Sequence, residues 1–289
     1  MIKDFHMHSH YSDDGEFTPK QLCAFAKKAG CSEIALTDHN TTKGVKEMIE
    51  EGAKCGIKVL PGIEIDCCFE GINFHLLVYQ MDYESKHYNE ISEFYLKQNQ
   101  AMAIKQVELL EEHCHIKIDR NDLKDIEKNG VLVPEDIGEL LLTKSEFDQC
   151  EFLNPYRQGG NRSDNPFLNI YLDFFSQGKP AFVQGEMLQV EDVLRIVKET
   201  NGIAVIAHPG QNFKDHDEIL LKLLDLGIKG IEVESNYHTC KQTQYYYNVA
   251  KERNLLMSSG SDFHGKNKPA IKLGVFGNTI DNFVNNLTE

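Results

Sequence analysis

The sequence predicts an α/β fold, a barrel of alternating strands and helices that is interrupted by an inserted, mainly helical domain. Short apolar runs of strand length alternate with amphipathic stretches of helix length over residues 1–83 and again over 180–289. Residues 84–179 between them lose this alternation. Histidines and acidic residues also recur where the predicted strands end, as they do in barrel enzymes. A barrel of about 250 residues with an insertion would use the whole chain.

The elements before the insertion follow local signals. Thr18 is a predicted N-cap with Pro19 in the first helical turn, and Gly30 ends that helix. Thr42 is predicted to cap the second helix, which Gly56 ends. The predicted strands are 2–6, 34–37, 58–65 and 74–79, and we expect them to be parallel.

The insertion and the second block follow. A long polar helix is predicted over 84–113, and residues 154–166 form a loop rich in Gly, Asn, Ser and Pro. After residue 180 the predicted helices are 190–200, 215–226 and 239–253, and the predicted strands are 204–207, 230–234 and 255–259. Three strands after the insertion and four before it make seven.

Composition narrows the class of protein. The formal charge of −15 predicts that the chain forms no stable nucleic-acid complex, since such binding needs a basic face. The eight cysteines include no C-x-x-C pair, and we expect them to be reduced. No signal-peptide core begins the chain and no stretch of about 18 apolar residues occurs in it. We therefore expect a cytoplasmic protein without membrane association.

Six histidines lie in segments that the pattern assigns to strand ends, beside an acidic residue or a glycine turn. Because the loops that follow barrel strands converge at one face, we expect these side chains to meet there. Imidazole and carboxylate groups bind divalent transition metals. The sequence therefore predicts a multinuclear metallohydrolase. The residues are His6, His8, His39, His75, His208 and His264, with Glu64 and Asp262 as carboxylates.

All of these residues except His75 fall in five ordered motifs: His6-Met7-His8, Thr37-Asp38-His39, Gly62-Ile63-Glu64, Ala207-His208-Pro209 and Asp262-Phe263-His264. The set resembles the PHP (polymerase and histidinol phosphatase) superfamily of metal-dependent phosphoesterases. The resemblance covers about 190 residues outside the insertion. It implies a distorted (β/α)7 barrel. The inserted domain is similar to that of the branch that hydrolyses nucleotide or short RNA phosphates.

The resemblance implies two or three divalent metal ions, and mixed nitrogen and oxygen ligands suit Mn, Zn or Fe. Asp38 is expected to hydrogen-bond near the site rather than to bind metal. One of these ions also requires an acidic residue just before Gly15, which is Asp14 or, as an open alternative, Asp13. The implied ligands are His6, His8, Glu64 and Asp262 for one ion, Glu64, His75 and His208 for the second, and His39, His264 and Asp14 for the third.

The implied reaction is hydrolysis of a phosphomonoester on a small organic phosphate by a metal-activated hydroxide, with Asp262 in the catalytic centre. A nucleotide, as a 5′-monophosphate or a 3′,5′-bisphosphate, is the expected substrate. His238 is a candidate proton donor to the leaving oxygen and a candidate phosphate ligand. Glu234, on a predicted strand end, either touches the site or has a structural role.

The insertion is expected to cover the barrel mouth and to select the substrate. Relatives that cleave nucleotides usually carry an Arg-Pro-His element and an arginine-rich helix there, whereas this chain has Val133-Pro134-Glu135 and Lys97-Gln98-Asn99-Gln100. Arg157, Arg162 and Lys179 are the candidate replacements as phosphate ligands. An ordinary surface loop is the competing interpretation.

Three alternatives remain open at this level. One is a histidinol-phosphate-type phosphatase, although such enzymes lack a long cap of this composition. Another is a non-catalytic metal-binding PHP domain, for which loss of ligands would be the sign. The third is an amidohydrolase that cleaves C–N bonds, which also uses H-x-H on a first barrel strand.

Overall fold

Seven strands lie side by side in one curved sheet, in the order β1-β2-β3-β4-β6-β7-β8, and the short β5 pairs with β3. The computed structural model describes residues 2–213, 217–280 and 283–288. The strands are β1 (Ile2–Asp4), β2 (Cys31–Leu36), β3 (Lys58–Phe69), β4 (Ile72–Tyr79), β5 (Leu188–Gln189), β6 (Ile203–Ile206), β7 (Gly230–Ser235) and β8 (Leu256–Gly260).

Main-chain hydrogen bonds between the first and last strand segments nearly close the sheet into a barrel. The amide of Phe5 donates to the carbonyl of Ser259 over 3.0 Å, and the amide of Asp262 donates to the carbonyl of His6 over 2.8 Å. The closure brings the H-x-H segment next to the D-x-H segment, although more than 250 residues separate them. The predicted α/β barrel is confirmed.

Strand β4 departs from the predicted parallel arrangement, because it runs antiparallel to both β3 and β6. Only Glu70 and Gly71 connect β3 to β4, with φ of 48° and 80°. Two such residues form a hairpin turn, whereas a parallel crossover needs about a dozen or more. As a result His75 lies on the strand opposite Asp66 of β3 and does not follow a strand end.

Helix boundaries agree with the capping signals in most places. Thr18 and Gln21 form a capping box at the start of α1, and Gly30 ends that helix with φ of 81°. Helix α2, however, begins at Val45, and the hydroxyl of Thr42 donates to the carbonyl of Tyr83 instead of capping. The helices are α1 (Pro19–Ala29), α2 (Val45–Cys55), α3 (Lys86–Cys114), α4 (Arg120–Ile126), α5 (Pro134–Thr143), α6 (Pro166–Ile170), α7 (Val190–Glu199), α8 (Pro209–Asn212), α9 (Asp217–Asp225) and α10 (Cys240–Glu252). The predicted start of α9 at residue 215 lies outside the described residues.

The chain divides into two compact units, residues 1–92 with 187–289 and residues 93–186. The first contains the sheet, and its apolar core includes Phe5, Leu77, Tyr79 and Val205. The hydroxyl of Tyr79 donates to the carbonyl of Phe5 over 2.8 Å, which satisfies the polar end of a fully buried ring.

The second unit is built from helices around a separate core that includes Leu110, Ile137 and Ile170. Arg120 donates to both carboxylate oxygens of Glu111 over 2.9 Å each, and this carboxylate also accepts the amide of Ile118. The predicted helical character of the insertion is confirmed, while its role as a cap stays a prediction. None of the helices in the described part of the chain is long and apolar enough to span a membrane.

Candidate metal centre

The first cluster of side chains, His6, His8, Glu64 and Asp262, includes residues from both ends of the barrel sheet. The Nε2 atoms of His6 and His8 lie 3.0 and 3.2 Å from Oε2 of Glu64, and 3.4 and 3.2 Å from Oδ1 of Asp262. All four side chains are buried. Two nitrogen and two oxygen ligands could therefore meet at one ion, as the resemblance implied.

The second cluster shares Glu64 with the first. Its other carboxylate oxygen, Oε1, lies 3.0 Å from Nδ1 of His75 and 3.1 Å from Nε2 of His208. Glu64 thus presents one oxygen to each pair of imidazoles. His39 also approaches, with Nε2 3.5 Å from Oε2. This arrangement suits a carboxylate that bridges two ions.

The third cluster is centred on Asp14. Its Oδ2 lies 2.9 Å from Nε2 of His264 and 3.7 Å from Nε2 of His39. The next residue must be glycine, because a Cβ at Gly15 would lie 1.9 Å from the carbonyl oxygen of Ser9. Of the two adjacent aspartates, it is Asp14 whose carboxylate joins these imidazoles.

The buried atoms of the clusters fit divalent cations. Nε2 of His8, Nε2 of His264 and Oδ1 of Asp262 are buried and make no hydrogen bond. Buried polar atoms are normally satisfied, so atoms of this kind are available to coordinate a metal ion. Asp262 also has φ of 59°, a strained left-handed conformation that is typical of functional sites. The residues therefore suit a bound metal on grounds of both chemistry and geometry.

The electrostatics of the clusters favour charged carboxylates. Burial raises the pKa of Glu64, but the imidazoles of His6, His39 and His75 outweigh it and hold that pKa well below its usual range. Burial lowers the pKa of His8 to about 4, and the neighbouring His264 adds to this shift. An ionised carboxylate is the form that binds metals.

Glu232 supports two ligands at once, a role that sequence reasoning missed. Its Oε1 lies 3.0 Å from Nδ1 of His6, and its Oε2 accepts the amide of His208 over 2.8 Å. A Cβ at Gly260 would lie 2.2 Å from Oε1 of Glu232, so only glycine fits there. The neighbouring Glu234 instead accepts the amide of Ile280, a structural contact. The sequence signal that could have identified Glu232 is an acidic residue within a predicted buried strand.

Asp66 is a second residue that the sequence did not single out. Its Oδ1 lies 3.4 Å from Nδ1 of His39 and 3.5 Å from Nε2 of His75, and Asn40 donates to its Oδ2 over 2.9 Å. Asp66 follows Glu64 by two residues, so both side chains leave β3 on the same side. Asp38, by contrast, accepts hydrogen bonds from the amide and hydroxyl of Ser9 over 2.6 and 2.7 Å.

The position of His238 does not match the roles predicted for it. It is buried, its Nδ1 lies 2.9 Å from the carbonyl of Val233, and its Nε2 accepts the amide of Gly210 over 3.2 Å. Burial lowers its pKa to about 4. With both ring nitrogens bound to main-chain groups, His238 holds the turn after His208. These contacts argue against His238 as a proton donor or phosphate ligand.

The other predicted phosphate ligands lie in the second unit. Arg162 donates to both carboxylate oxygens of Asp173, over 3.0 and 2.8 Å. Arg157 donates to the carbonyl of Phe147 over 2.6 Å. Lys179 is exposed. Both arginines already bind groups of the second unit, and phosphate binding by these three residues stays a prediction.

Comparison with known proteins supports the resemblance to the PHP superfamily. A family model described as the PHP domain matches residues 4–132. The matched stretch is somewhat less than half of the chain and contains the first three of the five motifs. A solved structure from Bifidobacterium adolescentis, of a protein inferred to be a metal-dependent phosphoesterase, is 26% identical with a TM-score of 0.77 and covers 96% of this chain and 93% of that one. An amidohydrolase structure from Chromobacterium violaceum, 22% identical with a TM-score of 0.78 over 96% and 92% of the two chains, shares the fold.

Curated relatives extend the comparison to enzymes. A phosphoribosyl 1,2-cyclic phosphate 1,2-diphosphodiesterase from Eggerthella lenta is 28% identical over 92% of this chain and 95% of its own. A 5′-3′ exoribonuclease from Haemophilus influenzae is 26% identical over 91% of each. A 3′,5′-nucleoside bisphosphate phosphatase from Chromobacterium violaceum is 26% identical over 90% and 86%. The prediction of a metal-dependent phosphoesterase is confirmed, while the number and identity of its ions stay predictions.

Proposed function

We propose that this protein hydrolyses a phosphomonoester of a mononucleotide, a 5′-monophosphate or a 3′,5′-bisphosphate, with two or three divalent ions of Mn, Zn or Fe. The observation that carries the proposal is the position of Glu64, whose two oxygens each lie about 3 Å from a different pair of imidazoles. A carboxylate in this position supports adjacent ions, which suit in-line displacement at phosphorus. Three relatives that act, by name, on phosphorylated ribose compounds or RNA support the substrate class.

The chain's own residues would hold the reacting groups in place. Glu64, Asp262 and Asp14 would hold the ions together with the imidazoles of the three clusters. Bound divalent ions would supply Lewis acidity and lower the pKa of a coordinated water. Burial of the ligands limits access of bulk water, which strengthens the electrostatic interactions between them. Glu232 and Asp66 would keep the imidazoles in fixed orientations.

A cyclic phosphodiester of a phosphorylated ribose is the second candidate substrate. The relative from Eggerthella lenta has this activity by name, and its match spans nearly the full length of both chains. Ring opening of a cyclic diester needs the same activated water and the same binding of phosphoryl oxygens as hydrolysis of a monoester. The two candidates therefore differ in the leaving group and not in the centre that would act on it.

The test is a panel assay with purified protein and added Mn²⁺. The substrates are nucleoside 5′-monophosphates, nucleoside 3′,5′-bisphosphates, a phosphoribosyl cyclic phosphate, short oligoribonucleotides and histidinol phosphate, with products separated by chromatography. Selective release of phosphate from a mononucleotide supports the proposal. Ring opening alone would favour the second candidate, and silence across the panel with metal bound would favour a non-catalytic domain.

Two variants connect the activity to the clusters. Asp262→Ala and His264→Ala should each abolish turnover, because both side chains lie in the clusters, while circular dichroism spectra stay close to those of the wild type. A chelator should remove activity and Mn²⁺ should restore it. Full activity in either variant would contradict the assignment of these residues as ligands.

A further inference from the structure

We propose that Lys268 is a phosphate-binding residue of this centre, which rests on the proposed function. It would keep one N–H on Asp262 and offer a remaining donor to a phosphoryl oxygen of the substrate. The ammonium Nζ lies 2.6 Å from Oδ2 of Asp262. A lysine ammonium has three donors, so the contacts with Asp262 and the hydroxyl of Tyr237 leave a donor to bind an anion.

The two side chains of this pair differ in how much of their surface is exposed. The side chain of Asp262 is 1% exposed, whereas that of Lys268 is 32% exposed. The partly exposed side chain of Lys268 thus lies beside a buried predicted ligand. Lysine is a common phosphate ligand in proteins and acts as a point charge.

The two oxygens of Asp262 have different neighbours. Oδ1 faces the imidazoles of His6 and His8, while Oδ2 receives both Lys268 and the hydroxyl of Tyr237, over 2.6 and 2.5 Å. A metal on Oδ1 and a lysine on Oδ2 can thus coexist. A substrate phosphate held by Lys268 would lie within reach of the ions.

The aromatic ring of Tyr237 lies beside both His208 and Lys268. Its centroid lies 5.5 Å from that of His208, in an edge-to-face arrangement, and 5.4 Å from Nζ of Lys268. Because its hydroxyl already donates to Asp262, Tyr237 is expected to shape the wall and not to bind the phosphate.

The segment that carries Lys268 is held firmly. The amide of Lys266 donates to Glu16 over 2.7 Å, and the side chain of Asn267 donates to the carbonyl of Asp14 over 2.7 Å. Fixing the lysine before the substrate arrives lowers the entropic cost of binding. The positive charge of Lys268 would add to that of the bound ions in attracting an anionic substrate.

The test measures inorganic phosphate binding to the Mn²⁺-loaded full chain by calorimetry, which does not require turnover. Lys268→Met should weaken phosphate binding about 10- to 100-fold, the range expected for a lost charged hydrogen bond. Lys268→Arg should restore most of it. The affinity of the metal-free protein for Mn²⁺ should not fall in Lys268→Met, because a cation beside Asp262 has been removed.

Two control variants distinguish a loss of phosphate binding from the loss of a hydrogen bond to Asp262. Tyr237→Phe removes a hydrogen bond from the same carboxylate oxygen without removing charge, and should change phosphate affinity by less than about threefold. Lys272→Met removes a lysine charge from the exposed surface nearby and should have no effect. In an active preparation, KM should rise more than kcat falls in Lys268→Met.

Unchanged phosphate affinity in Lys268→Met would overturn the proposal. So would an equal loss in Tyr237→Phe, or a loss of Mn²⁺ affinity that accounts for the loss of phosphate. A wild type that binds no phosphate would also overturn it. If the substrate panel is silent but Lys268→Met still weakens phosphate binding, the binding residue stands and the proposed hydrolysis fails.

Discussion

Nδ1 of His6 lies 3.0 Å from Oε1 of Glu232, and both side chains are fully buried. An N–H that donates to this carboxylate leaves Nε2 of His6 with its lone pair toward Glu64 and Asp262. The other oxygen of Glu232 accepts the amide of His208. One buried carboxylate therefore orients predicted ligands from two of the three clusters. It connects the segment after β1 with the segment after β6.

Glu232→Gln should weaken metal binding, because the amide holds the imidazole less firmly and does not raise its basicity. Changes of this kind cost about 10- to 100-fold in metal affinity. Calorimetric titration of the metal-free protein with Mn²⁺ measures the effect. Glu234→Gln is the matched control, since that carboxylate lies on the same strand but accepts the amide of Ile280. Equal losses in both variants would contradict the assigned role.

Asp14→Asn should reduce the number of bound ions by one. Its carboxylate joins His39 and His264, and a neutral amide is a poor substitute for it. Metal analysis by mass spectrometry after gel filtration gives the stoichiometry. Asp13→Asn is the adjacent control, expected to retain the wild-type number. A loss in the Asp13 variant with none in the Asp14 variant would reverse the assignment.

His238→Gln should lower kcat by less than about tenfold, whereas removal of a general acid typically costs about 100-fold or more. The pKa of His238 is about 4, so its imidazole is neutral throughout the range above pH 5 and cannot set the pH profile there. A pH–rate profile of wild type and variant checks this. Disappearance of a titration between pH 5 and 8 would restore His238 as a proton donor.

Glu111→Gln should lower the free energy of unfolding at pH 7 by about 1–3 kcal/mol, because it breaks a doubly bonded pair between a buried carboxylate and the half-exposed Arg120. Burial raises the pKa of Glu111, but the hydrogen bonds from Arg120 and the Ile118 amide outweigh it and lower the pKa from 4.5 to about 2. A depressed carboxyl pKa stabilises the fold above the unfolded value and ceases to do so as the pH falls through the folded one.

The difference between wild type and Glu111→Gln should therefore shrink as the pH falls from 4.5 toward 2. Urea unfolding at several pH values, followed by circular dichroism, measures it. Glu112→Gln changes the exposed neighbour and should have little effect at any pH. A difference that stays constant with pH would show that Glu111 acts by packing and not by charge.

Local chemistry made much of the fold predictable. The N-cap at Thr18 and the glycines that end α1 and α2 are signals within a few residues, and the structure has them where they were expected. The direction of β4 was not predicted correctly. It depends on the Glu70-Gly71 turn, which the strand pattern by itself did not separate from a crossover.

The sequence by itself determined the alternation of strands and helices, the helical insertion and the ligand types, because periodicity, capping and side-chain chemistry are local properties. Only the tertiary structure decided how Glu64 divides its oxygens between two clusters and that Asp14 faces His264. It also decided that Glu232 lies against His6, that Lys268 lies against Asp262 and that His238 holds a turn. These outcomes depend on distances between strands that are far apart in the chain, and closure of the barrel sets those distances.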